Sequence, residues 1–68
     1  MSELKITLKA ARVNAGLTQR KAAETLGIAP ATLVSWEKHP EKISAAKQKD
    51  IADTYRVGID NIIFLPSN

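Results

Sequence analysis

LTQRKAAETLGIAPATLVSWE, residues Leu17 to Glu37, decides the fold. Gly27 divides it, and each half carries apolar residues at helical spacing. In the first half Thr18 opens a helix, with Leu17 as the hydrophobic residue docking just before the cap. Ala22, Ala23 and Leu26 supply its buried face, and the two adjacent alanines let another helix approach closely. Gly27 closes it, because a left-handed backbone costs glycine nothing. Ile28 fills the turn. Pro30 stands at the first position of the next helix, where a missing N–H is harmless. That helix runs from Pro30 to Lys38, with Leu33 and Trp36 on one face and Thr32 and Ser35 elsewhere. His39-Pro40 ends it.

Two short helices joined by so tight a turn cannot bury their own faces, so flanking elements must complete the core around Ala22, Leu26, Ile28, Leu33 and Trp36. Upstream, Leu4, Leu8, Ala11 and Ala15 recur at helical spacing, with Ala10 beside them. They predict a helix from Thr7, as N-cap, to Ala15, stopped by Gly16. Downstream, Glu41 to Ser44 reads as a loop. Ser44 caps a fourth helix from Ala45 to Tyr55, buried through Gln48, Ile51, Ala52 and Tyr55, with the Tyr55 hydroxyl at the surface. Gly58 begins a last short helix, Ile59 to Phe64. A strand over Ile62 to Leu65 lacks a second alternating run to pair with.

Composition bounds the rest. The 68 residues have room for one domain, 1–68, with an ordered core of about 4–65. A chain this short buries only about 60% of its extended surface. With no cysteine and one histidine, disulfides and the usual zinc patterns are excluded. The N-terminal residues lack a signal peptide's apolar stretch, and no run of about 18 apolar residues exists to span a membrane. The net charge of +3 favours an acidic partner without identifying one. Glu37, Asp50, Asp53 and Asp60 are scattered and His39 has no evident nucleophile, so no catalytic constellation is visible.

The chain resembles the phage-repressor and Cro type of helix-turn-helix domain, an all-α, lambda-repressor-like bundle of about five short helices. The resemblance covers Leu8 to Phe64. It lies in Gly16-Leu17-Thr18-Gln19, the segment Ala23 to Gly27, Ile28, Thr32 to Glu37, and the closing run Val57 to Phe64. It implies sequence-specific binding of double-stranded operator DNA by a transcriptional repressor or Cro-like regulator, in a bacterial cytoplasm or phage-infected host. It also implies a homodimer on a pseudopalindromic site, with no cofactor, metal, small-molecule ligand or membrane.

Carried onto this chain, the resemblance places the third helix in the major groove and the second across the backbone. Bases would be touched by Gln19, Pro30, Ala31, Thr32 and Ser35, with Val34 near the rim. Phosphates would be met by Arg12, Gln19, Arg20, Lys38, His39, Lys42 and Ser44, while Lys21 faces solvent. Arg12 and Glu37 match the family's internal ion pair. Ile62, Ile63, Phe64 and Leu65 either form a twofold contact or close the monomer core. Three positions depart from the family: Ala29 where a polar cap is usual, Arg56 where glycine is common, and Gly58 where a serine-like cap is usual. The third helix offers no Arg, Asn or Gln for bidentate base contacts. Apolar contacts, water and DNA shape would then carry specificity, and a protein-interaction module, such as an antitoxin or anti-repressor partner, remains the alternative. A peripheral membrane module is disfavoured, because no helix sets a lysine-rich face opposite a broad apolar one.

Overall fold

The computed structural model describes residues 5–65, so the place assigned to Leu4 lies outside it. Four α-helices are present among these residues: α1 (Leu8–Asn14), α2 (Gln19–Leu26), α3 (Pro30–Lys38) and α4 (Ala45–Tyr55). Single 3-10 turns at Pro40–Lys42 and Ile59–Asn61 follow α3 and α4. One core runs through the bundle: Leu8, Ala11, Ala22, Ala23, Leu33, Ile43, Ile51, Ala52, Tyr55 and Ile62. Leu17, Leu26, Ile28, Trp36, Val57 and Phe64 pack around it.

The helices start and stop on a repeated device. Thr7, Thr18 and Ser44 each cap a helix, their hydroxyls accepting the N–H of Ala10, Lys21 and Lys47. Each cap follows a branched aliphatic residue, Ile6, Leu17 or Ile43, that packs on the core. The side chain fixes the entry angle while the hydroxyl satisfies a first-turn donor. At the other end α1, α2 and α4 close in the same way. The backbone turns left-handed at Gly16, Gly27 and Arg56 (φ 77°, 71° and 57°). The next residue's N–H then reaches back to a carbonyl five residues earlier: Leu17 to Arg12, Ile28 to Ala23, and Val57 to Ala52, at 3.0–3.2 Å. This is the Schellman closure. α3 differs at both ends. Ala29 makes no side-chain cap, Pro30 occupies the first turn, and His39 ends the helix ahead of Pro40.

The expected fifth helix over Ile59–Phe64 does not form. After one 3-10 turn the chain extends at Ile62 (φ −106°, ψ 137°). Ile62 lies in a parallel bridge with Ile6, closed by Ile6 N–H to the Asn61 carbonyl and Ile63 N–H to the Ile6 carbonyl, both 2.9 Å. The extended partner is the segment ahead of α1, where Leu4-Lys5-Ile6-Thr7-Leu8 alternates apolar and polar residues, a short run hidden by its overlap with the helical spacing of Leu4 and Leu8. β-branched Ile62 and Ile63 suit that conformation better than a helix. Ile62 is therefore core, 4% exposed, and not part of a surface for a second copy. Two further expectations are corrected. Glu41–Ser44 is not an open loop, since its first residues continue the 3-10 turn and Ile43 is buried. Ala15 is exposed rather than on the apolar face of α1.

Candidate nucleic-acid interface

α3 sits over α2 with Leu33 fully buried and Trp36 half-buried against the core. Those two anchors turn the opposite side of the helix outward. Ala31, Ser35 and Lys38 are exposed at i, i+4 and i+7, one stripe along the helix, with exposed Pro30 at its head and half-buried Thr32 and Val34 at its flanks. The stripe brings together the four α3 residues expected to face bases. Lys38 continues it by one turn.

The far end of α3 is fastened from two sides. Glu37 Oε2 accepts from Arg12 Nε at 2.6 Å, and its Oε1 accepts from Gln19 Nε2 at 3.0 Å. The Arg12 guanidinium also donates to the Leu17 carbonyl at 2.8 Å. One carboxylate thus ties α3 to α1 and to the first residue of α2, and the arginine braces the link between those two helices. The side chains of the ion pair are only 8% and 7% exposed. Arg12 is accordingly turned into the protein. Its expected place among phosphate-facing residues does not fit this burial, because two of its donor groups already serve internal acceptors. Gln19 is half-buried, with its amide held by Glu37.

The other phosphate candidates lie outside. Arg20 is exposed at the start of α2; Lys38, His39 and Lys42 are exposed across the end of α3 and the 3-10 turn packed on it. His39 Nδ1 stands 3.7 Å from a Glu41 carboxylate oxygen, so an acidic neighbour shares its surroundings. The Ser44 hydroxyl accepts the Lys47 N–H at 3.3 Å, and its own O–H can still be offered to an anion. Lys21 pairs with Glu24 at 3.2 Å on the solvent side of α2.

Tyr55 lies beneath the Arg12–Glu37 pair. Its hydroxyl is buried rather than at the surface and has no hydrogen-bond partner. Burial, reinforced by the Glu37 carboxylate and opposed by Arg12, pushes its pKa up to about 12. Of the C-terminal apolar run, Ile63 and Phe64 are half-buried and Leu65 is 74% exposed. Among the described residues no cluster of histidine, cysteine and carboxylate side chains could hold a metal ion, and no helix is long and apolar enough to cross a membrane.

The sequence left Ile43 and Ile6 unassigned to the core, although each precedes a cap as Leu17 does. The Gln19–Glu37 bond had no sequence signal, since it depends on how α2 and α3 cross.

The arrangement is two helices joined by a tight turn, the second with an outward stripe of small side chains and a basic rim. The helix-turn-helix family model matches residues 8–62. The chain belongs to the helix-turn-helix family. It is a helix-turn-helix DNA-binding domain, consistent with a transcriptional regulator, and domains of this family bind DNA rather than catalyse reactions. No curated protein and no solved structure gives a significant match.

Proposed function

We propose that this helix-turn-helix domain is a sequence-specific regulator of the phage-repressor and Cro type, lambda-repressor-like in its mode of docking. It binds a pseudopalindromic operator as a homodimer. The observation that carries this reading is the α3 stripe. Buried Leu33 and the Glu37 fastening hold the helix rigidly, while Pro30, Ala31, Thr32 and Ser35 stand outward along a width that a major groove accepts. Arg20, Lys38, His39, Lys42 and Ser44 supply the phosphate contacts around it, while the Gln19 amide is held by Glu37 and steadies the helix instead of reaching a base. Neutralising about six phosphates would give a slope of log affinity on log salt near −5.

Exposed Leu65 and Ile59, beside half-buried Ile63 and Phe64, line one shallow groove with Lys5 and Gln48. They supply the contact between copies, with Ile62 beneath them. The protein-interaction alternative is favoured by one observation: the exposed head of α3 is Pro30 and Ala31, side chains with no polar group.

Selection from random duplexes at two salt concentrations tests the proposal. Enrichment of a twofold-symmetric site, lost in Thr32→Ala/Ser35→Ala, is the expected result. Salt-sensitive binding with no enriched site would defeat it and favour a protein partner.

A further inference from the structure

We propose that α3 reads its half-site through the C5-methyl groups of pyrimidines, so that thymine methyls facing Ala31, Thr32 and Val34 carry most of the discrimination. The proposal rests on the DNA-binding reading above and names what that surface recognises.

The outward face of α3 is poor in polar groups. Between Pro30 and Trp36 its side-chain polar groups are two hydroxyls and the Trp36 indole N–H. Trp36 is packed on the core. A hydroxyl rotates and serves as donor or acceptor, so Thr32 and Ser35 can bond to several base edges without choosing strongly among them. The strong selectors are guanidinium on guanine and carboxamide on adenine. None stands on this face. Glu37 is held inside by Arg12 and Gln19, and Lys38 lies at the far end of the helix. Gln19 is the carboxamide nearest to hand, and its Nε2 is tied to Glu37 at 3.0 Å, which fixes the amide within the protein instead of leaving it to turn onto a base.

What the face does hold is methyl and methylene surface: the Pro30 ring, the Ala31 Cβ, the Thr32 Cγ2 and the Val34 methyls. The major groove offers such groups one apolar partner, the C5-methyl of thymine. The same position carries a methyl in 5-methylcytosine, so a methylated C·G pair would present the same apolar contact. Short side chains also bring the backbone of α3 close to the base edges, where a methyl fills the space that a long side chain would otherwise occupy.

The test uses wild-type protein and the duplex enriched by selection. Each thymine is replaced in turn by deoxyuridine, which keeps every hydrogen-bonding group and lacks only the methyl. Expected is a weakening of about fourfold for each contacted methyl, from the transfer free energy of one methylene-sized group. Thr32→Ser, which deletes the methyl and keeps the hydroxyl, should abolish the uracil penalty at one position. Thr32→Val, which keeps the methyl and deletes the hydroxyl, should retain it. Ala31→Gly should abolish the penalty at a second position. An enriched site whose affinity changes less than twofold at every uracil would overturn methyl reading and leave sequence-specific binding standing. A uracil penalty untouched by both Ala31→Gly and Thr32→Ser would assign the effect to DNA stiffness and overturn it as well. Absence of any enriched site would overturn this proposal together with the reading beneath it.

Discussion

The Tyr55 hydroxyl is buried without a partner against a buried ion pair, so two substitutions around it should behave oppositely. Tyr55→Phe deletes a polar atom that gains nothing inside, and should leave stability unchanged or raise it by up to about 1 kcal/mol. The same residue sets an alkaline limit. Below pH 10 the hydroxyl is neutral in both folded and unfolded chains, and stability is unaffected. Between pH 10 and about 12 the unfolded chain ionises and the folded one does not, so stability falls with rising pH. The loss by pH 12 is about 2–3 kcal/mol, and the Tyr55→Phe protein should lack that component in urea titrations across the range. Glu37→Ala instead strands the Arg12 charge in a site only 8% exposed, and should cost about 3–5 kcal/mol in the same assay. Replacing the pair together, Arg12→Met with Glu37→Leu, should restore most of it. If the double variant is as unstable as the single one, the carboxylate matters through Gln19 rather than through Arg12.

At the scale of the element, the ends of the helices show what a sequence announces and what it hides. Thr7, Thr18, Ser44, Gly16, Gly27 and Pro30 act through their own backbone or nearest neighbours, so α1 to α4 were legible within a residue or so. The outward placing of Ala31 and Ser35 followed from the same local rule, because Leu33 fixes the phase of the helix. Ile59–Phe64 was not legible, since its conformation is decided by Ile6, more than fifty residues away in the chain. The burial of Arg12 was half legible: its partner could be named, but that the pair would be closed to solvent depended on Tyr55 and α4. Two helix ends are poorly served and can be improved. Arg56 holds φ 57°, a conformation that costs a side-chain-bearing residue about 1–2 kcal/mol. Arg56→Gly should recover up to about 1 kcal/mol of that, less the entropy glycine adds to the unfolded chain. Ala29 begins α3 without a side-chain cap, and Ala29→Asp should add about 1 kcal/mol by accepting a first-turn N–H. Thermal melts check both. The second substitution also sets a carboxylate at the head of the proposed reading helix, so it should stabilise the protein and weaken its binding to DNA.

Across the whole molecule, the segments before α1 and after α4 are joined by the Ile6–Ile62 bridge, and the apolar run after it divides into inner and outer members. Ile62 is 4% exposed while Leu65 is 74% exposed, so one segment serves two different purposes. Ile62→Ala should cost about 2–5 kcal/mol by opening a cavity in the core and loosening the clasp. Leu65→Glu should leave the melting temperature within a degree or two, since the side chain is already in water. Its effect should fall on association. If the groove beside Leu65 joins two copies on an operator, a carboxylate there is brought against its twofold mate and against buried apolar surface. Binding to the full symmetric site should then weaken at least tenfold and lose its cooperativity, while binding to an isolated half-site weakens far less, by the effect of a new carboxylate near Lys38, with which Leu65 shares a crevice. Gel-shift titrations on both duplexes read the difference directly. Equal affinity of Leu65→Glu and wild-type protein for the full site would remove this groove from the contact between copies and leave the base-facing part of α3 untouched, because Pro30, Ala31, Thr32 and Ser35 lie outside the groove.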